Sequence, residues 1–379
     1  MREPKTRLLF VVNVLDFFLS HRLPLALAAL AEGHEVHVAS AGGEAVGLIE
    51  GYGIKHHTVA FSRSGQNPLR EIMTLWNLAF VFQRVRPDLV HLITIKPLLY
   101  GGIMARLFRI RAVVAAISGL GTVFIAGTLL ARLRRQLVNC LYALAFKQRC
   151  LTVIFQNPDD RESLLKLGVL QEAQSRLIRG SGVALTDYPA VQEPSGVPVV
   201  VLIARLLRDK GVVEFVEAAQ HLHQRGIAVV MRLIGAPDPG NPSTVSQAEL
   251  DAWTSAGHVE LVGFRSDIAA QYAAAHIACL PSYREGLPKS LIEAAACGRA
   301  VVTTDVPGCR DAITPGITGL LVPVKNAEAL ADAIQLLVED PALRQRMGEA
   351  GRKLAETEFT IEHVVEQHMR IYRESLVHA

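Results

Sequence analysis

The chain has 379 residues, of which 50% are hydrophobic and 20% are charged. This length favours two or three domains, and this composition is typical of an α/β protein with large buried cores. The 5 cysteines show no CxxC or metal-type spacing, so we expect buried, reduced thiols in a cytosolic protein. Polar residues from Asn13 to His21 interrupt the N-terminal apolar run. This interruption argues against a signal peptide, and no stretch of about 18 residues is apolar and uncharged throughout, so no transmembrane helix is predicted.

The formal net charge of +3 conceals a strong asymmetry along the chain. Residues 89–158 contain no Asp or Glu but hold these basic residues: Lys96, Arg106, Arg109, Arg111, Arg132, Arg134, Arg135, Lys147 and Arg149. Apolar residues from Phe124 to Tyr142 are interspersed with them, which favours contact with an anionic membrane or an anionic lipid substrate. A solvated basic face on ordinary helices explains the same composition equally well. Nucleic acid is not expected, because stackable aromatic residues are not interleaved with the basic ones.

Short β-branched runs alternate with helical patterns along the whole chain. Strands are predicted at residues 8–14, 36–40, 88–93, 112–117 and 151–155, and again at 199–204, 229–234, 259–262, 277–281 and 300–304. The first long helix is predicted at about 22–32, ended by Gly33. A Pro-rich linker at 187–198 separates the two series.

This alternation predicts an α/β fold with two Rossmann-like, doubly wound parallel-sheet domains. We assign residues 1–187 to the first domain, 188–360 to the second, and 361–379 to a helix that packs back toward the first. Parallel sheets bind ligands at the carboxyl ends of their strands. An active site is therefore expected in a cleft that the two domains face.

The segment from Pro281 to Ala300 (PSYREGLPKSLIEAAACGRA) carries the most chemical information. A strand leads into a loop with Glu285, Gly286 and Leu287, and Pro288 suits the first turn of a helix that runs to Gly298. Gly286 allows a ligand to approach the backbone, and the amides at the helix start predict an anion site. Glu293, more than one turn into the helix, is suited to bind a sugar diol. Two ordinary acids near a helix start would give the same spacing.

A second segment, 203–211 (IARLLRDKG), follows the first strand of the second domain. It places Arg205 and Lys210 at the carboxyl end of that strand. A planar guanidinium and a mobile ammonium together suit a diphosphate leaving group. An ion pair of Lys210 with Asp209 or Glu214 is the alternative interpretation.

These segments resemble family 4 of the retaining glycosyltransferases, which have the GT-B fold. The spacing of Glu285 and Glu293 matches the E-x7-E motif of that family. The resemblance implies that Glu285 holds hydroxyls of the transferred sugar, that Glu293 holds the nucleotide ribose, and that Arg205 and Lys210 hold the donor diphosphate. Gly286, Leu287 and Pro288 belong to the same donor site. It also implies that Gly235 and the loop GFRSDI with Phe264 lie beside the nucleotide.

The first half resembles bacterial enzymes that build O-antigen, capsule and N-linked oligosaccharides on undecaprenyl diphosphate, in particular those of the N-acetylgalactosaminyltransferase type. The motifs are FLSHR (18–22), SRSGQNP (62–68), TIKPLLY (94–100) and GLG (119–121). The resemblance implies that the first domain binds the acceptor through His21 and Arg22, at the start of a helix, and Lys96, on a strand-end loop. His21 acting only as a helix cap, and Lys96 as an ordinary surface lysine, remain open.

The resemblance as a whole implies retaining transfer of a hexose or N-acetylhexosamine from a UDP-sugar to an undecaprenyl-diphosphate-linked saccharide. No cofactor and no metal are expected, because Arg205, Lys210 and a helix N-terminus would replace a cation. The protein is expected in the cytoplasm, peripheral on the inner face of the cell membrane. One departure is the loop after the first strand, VVNVLDFF (11–18), which lacks the glycines found in many family members.

Three other classes of protein are less consistent with these residues. A sugar-nucleotide epimerase of the same fold needs no lipid acceptor, so the basic first half argues against it. A catalytically silent scaffold subunit would be free to lose Arg205, Lys210, Glu285 and Glu293. A dinucleotide dehydrogenase is excluded because no GxGxxG follows either first strand.

Overall fold

The computed structural model describes residues 5–61, 68–120 and 129–377, without the side chains of residues 68, 129–135, 137 and 138. The motif at 62–68, Gly121 and Phe124 thus lie wholly or largely outside the described residues, as do the side chains of Arg132, Arg134 and Arg135. The chain divides into two compact units. Unit 1 comprises Met1–Ser181 with Glu362–Ala379, and unit 2 comprises Gly182–Ile361.

Unit 1 is built on a parallel sheet of 7 strands in the order β3-β2-β1-β4-β5-β6-β7. The strands are β1 (Arg7–Val11), β2 (Glu35–Ser40), β3 (Lys55–Thr58), β4 (Leu89–Ile93), β5 (Ala112–Ile117), β6 (Leu151–Phe155) and β7 (Ser175–Leu177). The five residues of β4 and the six of β5 are all buried, as expected for a sheet covered on both faces. The strand order reverses between β1 and β4, so the ligand crevice of this unit lies at the carboxyl ends of these two strands.

Helices cover both faces of this sheet. They are α1 (Leu15–His21), α2 (Leu23–Ala31), α3 (Val46–Gly51), α4 (Pro68–Val85), α5 (Ile95–Leu107), α6 (Leu129–Phe146) and α7 (Pro158–Lys166). A last helix, α14 (Ile361–Val377), also belongs mostly to this unit, because Met369 and Tyr372 are buried in one core with Leu8 and Phe10 of β1. The core of unit 1 is thus assembled from both ends of the chain.

Unit 2 repeats the architecture with 6 parallel strands in the order β10-β9-β8-β11-β12-β13. The strands are β8 (Val199–Ile203), β9 (Val230–Ile234), β10 (Glu260–Gly263), β11 (Ile277–Leu280), β12 (Ala300–Thr304) and β13 (Gly319–Val322). The helices are α8 (Val212–Gln224), α9 (Gln247–Ala256), α10 (Ile268–Ala273), α11 (Lys289–Ala296), α12 (Ala327–Glu339) and α13 (Pro341–Glu358). Here the order reverses between β8 and β11, which places the ligand crevice at their carboxyl ends.

The prediction of two doubly wound α/β units is confirmed. Gly33, with φ of +86°, follows α2 as predicted. The helix predicted at 22–32 begins one residue later, because Arg22 (φ −132°) separates α1 from α2. The expectation of buried thiols is confirmed for Cys279, Cys297 and Cys309. It is wrong for Cys140, which is exposed, and Cys150 is half-buried. No helix within the described residues is long and apolar enough to cross a membrane.

Candidate active site at the carboxyl ends of the strands

Two loops of unit 2 meet where β8 and β11 end. The backbone amide of Tyr283, after β11, donates a 2.9 Å hydrogen bond to the carbonyl of Asp209, in the loop after β8. Gly211 allows this close approach, because a Cβ there would lie 2.1 Å from the carbonyl oxygen of Pro281. The segments that sequence analysis singled out separately are therefore neighbours at the switch point of the sheet.

This arrangement brings Lys210 into contact with Glu285. The Lys210 ammonium donates to Oε1 of Glu285, and the same oxygen accepts a 2.7 Å hydrogen bond from the Ser282 hydroxyl. The alternative ion pairs of Lys210 are not formed. Asp209 instead accepts a hydrogen bond from Ser243, and Glu214 accepts one of 2.6 Å from Tyr283. The Lys210 ammonium and the Glu285 carboxylate thus form an ion pair beside the crevice, and both side chains are half-buried.

The loop that carries Glu285 is held rigidly from its other side. The Glu285 amide donates a 3.1 Å hydrogen bond to the carbonyl of Pro307, after β12. Gly308 has φ of +82°, and a Cβ there would lie 2.5 Å from the Glu285 carbonyl oxygen. Only glycine fits at this position without displacing the loop. The side chain of Glu285 is therefore placed by backbone packing as well as by Lys210.

Arg205 lies two residues after the end of β8, and its side chain is 58% exposed. Its guanidinium donates a 2.6 Å hydrogen bond to Asp238, which follows β9. Gly235, at the end of β9, has φ of +148°, and a Cβ there would lie 1.8 Å from the Ala204 carbonyl oxygen. Phe264, after β10, is 78% exposed. Arg205, Gly235 and Phe264 thus follow β8, β9 and β10 at the same edge of the sheet.

Helix α11 begins at Lys289, so Pro288 (φ −70°, ψ 122°) is its N-cap residue and not part of its first turn. Glu293 lies in the second turn and is only 7% exposed. Its Oε1 accepts a 2.7 Å hydrogen bond from the Tyr188 hydroxyl, and Lys289 lies 3.5 Å away. Burial raises the pKa of Glu293, and Lys289 and Tyr188 partly offset this effect. Tyr188 belongs to a segment interpreted from sequence as part of a linker, so its role was missed.

In unit 1, the crevice between β1 and β4 is lined by a strained residue. Thr94, directly after β4, has φ of +71° and ψ of 162°, a combination that is essentially restricted to glycine. Its hydroxyl contacts the side-chain oxygen of Asn13, after β1. Thr94 opens the TIKPLLY motif and Asn13 lies in the loop 11–18, but neither segment indicates that the two side chains meet.

Lys96 lies in the first turn of α5 and not on a loop, since α5 begins at Ile95. Its ammonium donates a 2.7 Å hydrogen bond to Glu71 of α4, whose second oxygen accepts one of 2.7 Å from Tyr100. Lys96 is therefore part of a Lys–Glu–Tyr cluster at the carboxyl-end edge of the sheet. Glu71 and Tyr100 were not predicted.

His21 is the last residue of α1 and not the first of the long helix; it stacks on Phe17 with 4.1 Å between ring centroids. Arg22 is only 3% exposed, and burial lowers its pKa to about 10. Its charge partly offsets the effect of burial on the pKa of Tyr372 in α14. Arg22 is thus buried at the junction of α1 and α2, and an acceptor contact of His21 or Arg22 stays a prediction.

In unit 1 the loop after β2 contains glycines, whereas the loop after β1 contains none. A cavity of about 390 Å³ is lined by Val14–Asp16 after β1 and by Ala41–Ala45 after β2, including Gly42 and Gly43. Asp16 and Glu44 also line this cavity, so its lining combines glycine backbone with two carboxyl groups. Among the described residues, no group of His, Cys, Asp and Glu is arranged to hold a metal ion.

Comparisons with known proteins agree with this geometry. Residues 186–354 match the family described as glycosyl transferases group 1, and residues 7–157 match the family described as glycosyl transferase 4-like. The chain is 33% identical over 348 residues to the N,N'-diacetylbacillosaminyl-diphospho-undecaprenol alpha-1,3-N-acetylgalactosaminyltransferase of Campylobacter jejuni, covering 86% of this chain and 90% of that protein. It is 29% identical over 170 residues, 45% of this chain and 44% of the other, to the capsular polysaccharide biosynthesis glycosyltransferase CapM of Staphylococcus aureus.

Solved structures share the fold. Sucrose-phosphate synthase from Thermosynechococcus elongatus superposes with a TM-score of 0.81 at 22% identity over 99% of this chain and 100% of that one. HepE from Anabaena, solved in complex with UDP, gives a TM-score of 0.75 at 20% identity over 98% of this chain and 100% of that one. The chain belongs to the glycosyltransferases of the GT-B fold, as its motifs predicted.

Proposed function

We propose that this glycosyltransferase moves a hexose or N-acetylhexosamine, in particular N-acetylgalactosamine, from a UDP-sugar to a saccharide linked to a polyprenyl diphosphate. The observation that carries the proposal is the meeting of Lys210 and Glu285 at the switch point of unit 2, with Arg205 on the same edge. The similarity to the Campylobacter transferase supports the choice of acceptor class.

The donor is held by charge and by the backbone. Arg205 and Lys210 bind the diphosphate, and the N-terminus of α11 adds its dipole. Glu285 accepts hydrogen bonds from hydroxyls of the transferred sugar, and Glu293 from the ribose. Binding requires Lys210 to exchange part of its contact with Glu285 for a phosphate oxygen, which leaves the Glu285 carboxylate available to the sugar.

The reaction proceeds with retention of the anomeric configuration. The acceptor hydroxyl attacks the anomeric carbon from the face that the diphosphate leaves. The bond to the acceptor oxygen forms as the bond to the phosphate oxygen breaks, and that departing oxygen takes the proton. The positive charges of Arg205 and Lys210 stabilise the negative charge on the leaving group, so the reaction needs no divalent ion.

The acceptor enters at unit 1, where Lys96 with His21 and Arg22 binds the anionic diphosphate or the saccharide next to it. The part of the basic stretch from Leu89 to Pro158 that lies near Lys96 attracts the anionic surface of the membrane, so the protein works at its cytoplasmic face. In the structure, however, Arg109 and Arg111 precede β5 and Lys147 and Arg149 precede β6. These four residues therefore lie at the amino ends of the strands, whereas Lys96 lies at the carboxyl ends.

A donor screen tests the proposal directly. UDP-, GDP- and dTDP-sugars are incubated with a short polyprenyl-diphosphate-linked saccharide, and the product is read by mass. Addition of one hexose or N-acetylhexosamine from a UDP-sugar, with an α-linkage by NMR and with EDTA present, supports it. Interconversion of nucleotide sugars without an acceptor would identify an epimerase, and no turnover with any donor would contradict the proposal.

A further inference from the structure

The outer face of α4 carries an unusual set of exposed side chains. Five large apolar residues form what we call the α4 stripe: Leu69 (71% exposed), Ile72 (51%), Met73 (61%), Trp76 (74%) and Phe80 (63%). They recur at intervals of three and four residues, so they lie on one side of the helix. The stripe thus forms a continuous apolar ridge about three turns long.

The stripe is not needed for the folding of unit 1. Helix α4 buries a different set of residues in the core, namely Leu78, Val81, Phe82 and Val85. Other exposed apolar residues of the unit, such as Leu48 and Leu107, belong to other helices. A contiguous apolar surface of this kind marks a site of interaction.

The charges around the stripe are positive. Arg70 is exposed at one end of α4, and Arg84 and Arg86 are exposed at the other. Glu71, the single acidic residue of α4, is held by Lys96 and Tyr100. A surface of anionic headgroups over an apolar interior complements this arrangement, with arginines at the headgroups and the tryptophan and phenylalanine below them.

A second copy of the chain is a poorer partner for the same surface. In a two-fold symmetric contact between antiparallel copies of α4, Arg70 of one helix lies near Arg84 or Arg86 of the other. In a parallel contact, each arginine lies near its own counterpart. Both arrangements bring like charges together without a free carboxylate on α4 to separate them.

We propose that α4 lies in the interface of an anionic phospholipid bilayer with Leu69, Ile72, Met73, Trp76 and Phe80 inserted. The proposal rests on the proposed function for its biological sense, because a lipid-linked acceptor is presented from a bilayer. The N-terminal end of the stripe is one turn or less from Glu71, which contacts Lys96. Membrane insertion of α4 therefore brings the predicted acceptor residue Lys96 to the bilayer surface.

Trp76 offers a direct test with the full chain, because the sequence contains only one other tryptophan, Trp253. In a Trp253→Phe variant, Trp76 is the sole tryptophan. Vesicles of phosphatidylglycerol and phosphatidylcholine without polyprenyl lipid should shift its emission to the blue, and brominated acyl chains should quench it. Binding to vesicles with unchanged and unquenched Trp76 emission would overturn the proposal.

The matched variants separate the stripe from general surface apolarity. Trp76→Ser with Phe80→Ser should weaken vesicle binding by more than about tenfold, since each exposed side chain contributes separately to burial in the interface. Leu48→Ser with Tyr52→Ser, on and just after α3, should bind as the wild type does. The proposal would be overturned if the stripe variant bound vesicles as tightly as the wild type does. It would also be overturned if, without lipid, the wild type sedimented as a dimer and the stripe variant as a monomer, because the stripe would then be a dimer interface.

Turnover distinguishes this proposal from the proposed function. The stripe variant should retain wild-type activity on a short water-soluble acceptor and lose it on an acceptor embedded in vesicles. If the wild type transfers sugar to neither acceptor, the proposed function fails whatever the vesicles show. If transfer is intact and vesicle binding does not depend on the stripe, only the present proposal fails.

Discussion

The hydroxyl of Tyr188 donates a 2.7 Å hydrogen bond to Glu293, and the carboxylate that accepts it is almost entirely buried. Desolvation of this kind favours the protonated form, and it raises the pKa of Glu293 even though Lys289 and Tyr188 favour the ionised form. The buried carboxylate therefore opposes folding at neutral pH, at the position where we propose that it binds a ribose.

A Glu293→Gln variant should be more stable than the wild type at pH 7. Below its ordinary pKa of 4.5, Glu293 is protonated in the folded and unfolded states alike. As the pH rises through the raised pKa, Glu293 ionises in its buried site, and the free energy of unfolding of the wild type falls. The fall is about 1.4 kcal/mol for each tenfold difference in proton affinity between the folded and unfolded states. Denaturant titrations from pH 4.5 to 7 should show the advantage of the variant growing with pH. The same variant should bind UDP more weakly.

Glu285→Ala should abolish sugar transfer and leave UDP binding nearly unchanged, because in the proposed function Glu285 contacts the sugar and not the nucleotide. Isothermal titration with UDP and a mass assay of transfer measure the two effects. Glu260→Ala removes a partly exposed partner of Arg232 in the same unit and should change neither. A fall in UDP affinity as large as the fall in turnover would refute this role of Glu285.

Arg205→Ala and Lys210→Ala should each reduce turnover by about 10²-fold or more, which is the usual effect of losing one preorganised group that stabilises charge. Arg225→Ala, which removes a cation paired with Asp332, serves as the control and should retain activity. Initial rates are measured with EDTA present. Activity that survives both substitutions, or that requires an added divalent ion, would contradict the metal-free mechanism.

Gly235→Ala should destabilise unit 2 by about 3 kcal/mol or more, because the new Cβ has no room beside the Ala204 carbonyl. Gly257→Ala is the matched control: its φ is +71°, but a Cβ there meets nothing within 4 Å. That change should cost about 1 kcal/mol through backbone strain alone. Thermal unfolding compares the two. If both substitutions lowered the stability equally, backbone strain alone, and not the close approach of β9 to the loop after β8, would explain why residue 235 is glycine.

Reversal of Arg132, Arg134 and Arg135 to Glu should release the protein from anionic liposomes, and moderate salt should weaken attachment of the wild type. Activity on a short soluble acceptor should persist. These side chains lie outside the described residues, so the prediction rests on sequence. A triple variant that still sediments with liposomes would mean that the basic face is merely solvated, and attachment would then depend on the α4 stripe.

The strands of both sheets were largely predictable, because buried parallel strands are continuous apolar runs. The predicted strand 112–117 coincides with β5, and 300–304 coincides with β12. Strand β3 (KHHT) was missed because it is a polar edge strand without an apolar run. This segment is extended because it pairs with β2, and the side chain of His37 in β2 forms a 2.9 Å hydrogen bond with His57 in β3. A contact between two strands cannot be predicted from the local sequence of either one.

The candidate site was predictable in its residues more than in its contacts. The spacing and the family resemblance identified Lys210 and Glu285 as site residues. They did not predict that the two side chains contact each other, because the distance between two residues along the chain does not give their distance in space. The contacts of Thr94 and of Lys96 were missed for the same reason. The α4 stripe was missed because exposed and buried apolar residues alternate along α4, and sequence does not tell which side faces a partner.

The contribution of α14 to the core of unit 1 has a consequence for biosynthesis. Val364, Met369 and Tyr372 complete a core that otherwise comes from the first half of the chain. On the ribosome, all of unit 2 is synthesised before this helix emerges, so unit 2 can finish folding while unit 1 is still incomplete. Chaperones therefore have an exposed apolar groove to protect on the older part of the nascent chain, and premature termination near residue 360 would release a protein with that groove open.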